Sequence, residues 1–379
     1  MKIVIAIDSL KGSLSSIEAA NAIKKGIENS KLDADVEIKP LADGGEGTID
    51  ALVEGMNGKR KIVKVCGPAG KQVEATYGLL DDSKTAIMEM AQAAGITQVS
   101  ENEKNPLMTT TYGVGEMIKA AINEGCRNFI IGIGGSATND AGVGMLQSLG
   151  FKFYDKNDNL VNLGGQVLNQ IKRIDDSEKI KELEECNFKI ACDVNNPLFG
   201  LNGAAYIYGP QKGATPKIVE ELDNGLRNFA EVVKKDLKKD LANTPGAGAA
   251  GGLGYGFITF LNSKLESGVQ IILNETKLEE SIKDADIVVT GEGRLDNQTA
   301  MGKAPIGVAK LAKKYGVKVI AIAGCTTDDA IACNEEGIDA FFSIVNKPTS
   351  LEQAMDPKNA ENNMINTSTQ IFNLIKVLS

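Results

Sequence analysis

Residues 2–27 read KIVIAIDSLKGSLSSIEAANAIKKGI, and the change of period inside that stretch decides the fold. Lys2 to Asp8 is a continuous β-rich run, and after it the apolar positions recur at helical spacing, which makes a βα unit. Gly12 eases the turn. Ser13, Ser15 or Ser16 can cap the helix, and Glu18 suits its N-terminal dipole. Lys11 stands beside the free N–H groups of the helix start, where it either neutralises a phosphate or is simply solvated. A second strand, Val36 to Leu41, ends in ADGGEGT (Ala42 to Thr48), whose Asp43 and Glu46 are either helix caps or hard oxygen ligands for Mg²⁺.

The far end of the chain repeats this pattern. Asp286 to Thr290, Val317 to Ala323 and Ala340 to Val345 read as strands, each followed by a helical stretch. Joined to the N-terminal units, they predict a doubly wound, parallel, Rossmann-like α/β domain built from residues 1–60 and 280–379, with residues 61–279 inserted as a mixed α/β domain. The pattern changes near Lys59: short alternating runs around Gly67-Pro68-Ala69-Gly70, Gly78 and Asp81-Asp82 predict antiparallel hairpins as far as Met90.

Within the insert, the apolar run Phe129-Ile130-Ile131 enters GIGGSATND, Gly132 to Asp140. Gly132, Gly134 and Gly135 suggest a backbone that must approach something closely. Ser136, Thr138, Asn139 and Asp140 then place polar groups at a helix start, either as an anion site or as a capped turn. A charged helix is expected over Asp176 to Cys186, and the strand Phe188 to Cys192 ends in DVNNPL, where Asp193 is a site carboxylate or part of an Asx-turn. Lys212 in GPQKGAT is a plausible anion contact. PGAGAAGGLGYG, Pro245 to Gly256, is either a linker or closely packed backbone; its lack of serine and the apolar run after it favour packing.

Composition narrows the chemistry. The 379 residues carry a formal net charge of −9, which argues against nucleic acid or an acidic membrane as partner. Six cysteines lie scattered without a CxxC pair or a secretory leader, and no apolar run approaches the roughly 20 residues that span a bilayer, so a cytoplasmic protein with free thiols is expected. Histidine is absent, which removes Ser-His-Asp chemistry and the usual zinc ligand. Ligands of open α/β sheets bind at the carboxyl ends of strands, where this chain gathers Lys11, Arg294, Lys303, Asp43, Glu46, Glu292 and Asp296; the loops after Ile133 and Cys192 have the same character. Phosphate with Mg²⁺ fits that set. No GxxxxGK[ST] loop or complete dinucleotide fingerprint is present, so the residues alone point to phosphoryl transfer outside the P-loop class.

Seven motifs in order, DSLKGSLS, ADGGEGT, GIGGSATNDAG, CDVNNPL, GPQKGA, PGAGAAGGLG and GEGRLDNQTAMGKAP, resemble those of the type 1 glycerate kinase family over essentially the whole chain. Leu10 stands where the family usually has phenylalanine, Ile7 replaces a usual proline, and Ala141 a common glycine. The resemblance implies ATP-dependent phosphorylation of D-glycerate, with the 2-phosphate favoured, in a cleft between two α/β domains. In that framework Asp193 or Asp296 is the base, Lys11 and Lys303 neutralise phosphates, Asp43 and Glu46 organise Mg²⁺, and Arg294 holds the glycerate carboxylate. Ser9, Gly12, Ser13, Gly134, Gly135, Ser136, Thr138 and Asn139 are the remaining substrate or phosphate contacts. A kinase of a related hydroxy acid and a non-catalytic sensor of a phosphorylated metabolite are the alternatives, and self-association stays open.

Overall fold

The structure, a computed structural model, describes residues 1–42, 48–82 and 84–378. The chain divides into a composite unit, Met1–Gly58 with Val269–Ser379, and a continuous unit, Lys59–Gly268.

The composite unit holds a five-stranded, wholly parallel sheet. Its spatial order is Ala340–Ser343, Lys318–Ala323, Ile287–Thr290, Lys2–Ile5, Asp35–Ile38. Ile3, Val4 and Ile5 are fully buried, as a central strand covered on both faces requires. From Lys2–Ile5 the chain steps to one side, and on its return it continues on the other. That reversal makes the space beyond Ile5 and Thr290 the topological switch point, where open α/β sheets form their ligand crevice. The helix Ser16–Ser30 is closed by a capping box: Ser15 Oγ accepts from the Glu18 N–H at 3.2 Å while Glu18 accepts from the Ser15 N–H at 2.8 Å. Ser16 instead donates to the Ile7 carbonyl at 2.7 Å, tying helix to strand. Gly26 lets this helix cross the C-terminal helix Pro357–Leu378 closely, since a Cβ there would lie 2.5 Å from Ser368 Cβ.

The continuous unit is built on a mixed six-stranded sheet in the order Lys264–Glu266, Asn187–Ala191, Asn128–Gly132, Thr85–Glu89, Gln72–Leu79, Lys59–Cys66. The first four strands run parallel and the last two form an antiparallel hairpin. Thr85–Glu89 therefore differs from the expected hairpin strand: it pairs antiparallel with one neighbour and parallel with the other. The charged helix expected at Asp176 to Cys186 is also corrected. A short 3₁₀ turn, Lys181–Glu185, occupies part of it and buries Leu183, too little apolar surface to hold a longer helix in place.

The glycine-rich run after Pro245 does pack closely. Inside the helix Ala249–Phe260, residues Ala250, Gly251 and Gly252 take left-handed conformations (φ 53, 67 and 89°), so the backbone kinks between two loops. A Cβ on Gly251 would lie 2.0 Å from the Thr138 carbonyl oxygen, and one on Gly248 2.2 Å from that of Pro197. The Ala141 N–H donates to the Gly251 carbonyl at 3.0 Å, and the Gly248 N–H to that of Asn196 at 2.9 Å. One glycine run thus fixes both GIGGSATND and DVNNPL.

Candidate active site

At the switch point the Asp8–Ser13 turn and the Glu292–Asp296 loop meet. The Asp8 N–H donates to the Gly291 carbonyl at 2.9 Å, and Leu10 and Leu14 exchange two backbone hydrogen bonds around Gly12 (φ +78°). The pocket they border encloses about 550 Å³. Asp8, Ser9, Lys11, Ser13, Glu292, Arg294, Asp296 and Lys303 line it, together with Cys325 and an apolar group from Ile344 to Met355. Ser13 Oγ is buried there without a hydrogen-bond partner among the described residues, a hydroxyl whose desolvation a bound anion would offset. Six of the sequence-predicted residues, Ser9, Lys11, Ser13, Arg294, Asp296 and Lys303, thus share one pocket with Gly12 in its turn.

Asp296 is held by both its own helix start and Arg294. It caps the helix Asn297–Ala300, accepting from the N–H groups of Gln298 (2.9 Å) and Thr299 (3.2 Å). Arg294 adds Nε at 3.0 Å and Nη2 at 2.9 Å. Burial acts to raise the acid, but the Thr299 N–H and the cations Arg294 and Lys303 outweigh it and hold it below the usual carboxylate range. Glu292 accepts from Thr299 Oγ1 at 2.6 Å and lies 3.9 Å from Lys303 Nζ. Asp43 and Glu46, the expected metal ligands, fall outside the described residues. Among the described residues no cluster of three or more potential metal-binding side chains converges.

A second polar cluster lies in the continuous unit. Gly134 and Gly135 are exposed at the tip of GIGGSATND, whereas Ser136, Thr138, Asn139 and Asp140 are buried. Asp140 accepts from the Thr111 N–H at 2.8 Å, Thr111 Oγ1 at 2.9 Å, and the N–H groups of Gly142 (3.1 Å) and Gly144 (3.3 Å). Burial pushes its carboxyl up against those donors. Lys212 is also fully buried; its Nζ donates to Ser136 Oγ and to the Thr138 carbonyl. Burial lowers this ammonium to about 7, with the charge of Asp140 opposing the fall. Thr138 Oγ1 and both amide atoms of Asn139 are buried without hydrogen-bond partners among the described residues, while Gly134 and Gly135 form the accessible tip of the loop. Asp193 is exposed beyond the strand Asn187–Ala191 and accepts from the Gly268 N–H at 3.2 Å.

Sequence reading missed the apolar wall of the first pocket, Ile344, Val345, Leu351, Ala354 and Met355. The available signal was the i, i+4 pair Leu351 and Met355 in an otherwise polar stretch.

The model of the glycerate kinase family matches residues 3–376. A glycerate kinase of Halalkalibacterium halodurans is 50% identical over 353 residues, covering 93% of each chain. The glycerate 2-kinase of Escherichia coli is 48% identical over 371 residues, 98% of this chain and 97% of that one. A crystal structure of a protein assigned as glycerate kinase 2, from Salmonella typhimurium LT2, superposes with a TM-score of 0.92 at 45% identity, covering 100% of this chain and 98% of the other.

Proposed function

Because the chain belongs to the glycerate kinase family, we propose that it phosphorylates D-glycerate with ATP as donor and releases 2-phosphoglycerate. The observation that carries this reading is the convergence of Lys11, Arg294 and Lys303 with the Ser13 hydroxyl, which has no partner among the described residues, in a pocket at the switch point. The relationship to the Escherichia coli glycerate 2-kinase supports the position of the phosphate.

Phosphoryl transfer asks the protein mainly for positioning and charge neutralisation. Lys11 and Lys303 neutralise the donor phosphates, and Ser9, Gly12 and Ser13 shape the turn that receives them. Two of the five N–H donors of Arg294 serve Asp296, and the rest suit a substrate anion. The glycerate hydroxyl attacks the γ-phosphorus, the bond to the β-phosphate oxygen breaks, and the hydroxyl proton passes to a carboxylate. Asp193 is the favoured acceptor, because Asp296 is held ionised by its cap bonds and Arg294 and is therefore a weak base. Gly134, Gly135 and Ser136 position the acid, with Thr138 and Asn139 behind them.

Mg²⁺, when bound, supplies charge neutralisation across the transferring phosphates. Carboxylate oxygens are the ligands it prefers, and one or two suffice when phosphates complete the shell. Asp8 and Glu292 on the pocket wall fit that requirement, with Asp43 and Glu46 as the candidates from the sequence.

The test is turnover of ATP and D-glycerate followed by proton-coupled phosphorus NMR. A phosphate on the secondary carbon splits as a doublet and one on the terminal carbon as a triplet. A doublet is expected; a triplet overturns the 2-phosphate, and ADP release driven by a different hydroxy acid overturns glycerate.

A further inference from the structure

We propose that the apolar side of the switch-point pocket, formed by Leu351, Ala354 and Met355 with Ile344 and Val345, holds the base of the nucleotide donor. This rests on the reading of the chain as a nucleotide-dependent kinase and assigns the donor to the composite unit.

Size and polarity both separate this wall from the acid substrate. Glycerate has three carbons, each bearing oxygen, and offers no face that apolar side chains would desolvate favourably. The pocket encloses about 550 Å³, within the range of cavities that take drug-sized ligands. Leu351 is 75% exposed and Met355 38% exposed, one turn apart on the short helix Leu351–Met355, and both line the pocket. Neither belongs to the buried cluster that packs the first helix against Met364 and Phe372 and that includes Ile344. Paired large apolar side chains facing a pocket rather than a core mark a binding surface.

Charge is arranged to match. Lys11, Arg294 and Lys303 line the same pocket as the apolar group, so one ligand with a flat apolar end and an anionic end satisfies both. A nucleoside triphosphate has that form. The wall is also fixed to the phosphate turn: a Cβ on Gly12 would lie 2.8 Å from Met355 Cε, so the methionine methyl rests on the backbone that carries Lys11.

The experiment is calorimetric titration of the full chain with a non-hydrolysable ATP analogue and with inorganic tripolyphosphate, which has the charge but no base. In Leu351→Ser the Kd of the analogue should rise about tenfold, as loss of a contact with a large apolar side chain implies, while that of tripolyphosphate stays within twofold. Met355→Ala should do the same. The proposal is overturned if both ligands weaken equally, if neither changes, if wild type does not bind the analogue, or if the variants raise only the KM for glycerate. A wild-type chain that binds the analogue in this base-dependent way yet does not phosphorylate glycerate supports the wall and overturns the activity.

Discussion

Lys212 Nζ donates to Ser136 Oγ across 2.7 Å inside the continuous unit, joining GPQKGA to GIGGSATND through a fully buried ammonium. The folded state lowers this lysine from 10.5 to about 7, burial being the cause, so between those values the unfolded chain binds more protons than the folded one. Stability contributed by the group must therefore rise with pH across that window, the burial penalty being fully present below about 7. We expect wild type to gain in thermal midpoint relative to Lys212→Met as pH is raised from 7 to 10. A flat difference would mean the ammonium is not desolvated.

Asp140 faces that charge and accepts from Thr111, Gly142 and Gly144. Asp140→Asn substitutes an amide donor for part of this acceptor set and leaves Lys212 without its counter-charge, so urea unfolding should show a loss of roughly 3–5 kcal/mol. Combined with Lys212→Met, the loss should be less than the sum, because the charge of Asp140 then has no buried ammonium to offset.

Two glycines separate packing from substrate approach. Gly251→Ala forces a Cβ to 2.0 Å from the Thr138 carbonyl at a left-handed φ, and should destabilise the chain by about 3 kcal/mol. At Gly134 a Cβ meets nothing within 4 Å, so Gly134→Ala should keep stability within about 0.5 kcal/mol. On the proposed placement of the acid at this loop, the added methyl enters its space, so kcat/KM for glycerate should nevertheless fall. Unchanged kinetics would remove the loop tip from the substrate site.

Asp193 and Asp296 should respond differently to the same isosteric change. Loss of a general base costs about a hundredfold or more in kcat, which is the expectation for Asp193→Asn. Asp296→Asn retains a capping side chain but loses the charge opposite Arg294, and should chiefly raise the KM for ATP. A larger fall in kcat for Asp296→Asn than for Asp193→Asn would reverse the assignment.

How much was legible depended on whether the cause was local. KIVIAID announces a buried parallel strand because its run from Ile3 to Ile7 is apolar throughout, and the structure buries all five residues completely. The glycine run after Pro245 was legible as packing because small residues with little serine suit backbone contact better than a solvated linker. By contrast, Thr111 holds Asp140, 29 residues away, a pairing no local pattern encodes. Ser136 was expected to face a ligand, and it also receives the ammonium of Lys212 from 76 residues further on. The wall from Ile344 to Met355 escaped notice because an exposed leucine in a polar helix looks like ordinary surface until the strand ends opposite it are in place.

The close crossing at Gly26 sets an order for assembly on the ribosome. Ile23 and Ile27 of the first helix bury against a core completed by Met364 and Phe372, which lie on the helix Pro357–Leu378, synthesised after every other described element. The continuous unit, Lys59–Gly268, has emerged in full long before that point. The N-terminal βα segments must therefore remain without their closing helix until after the continuous unit has been made, their apolar strand exposed meanwhile to the non-native contacts that a nascent chain must avoid.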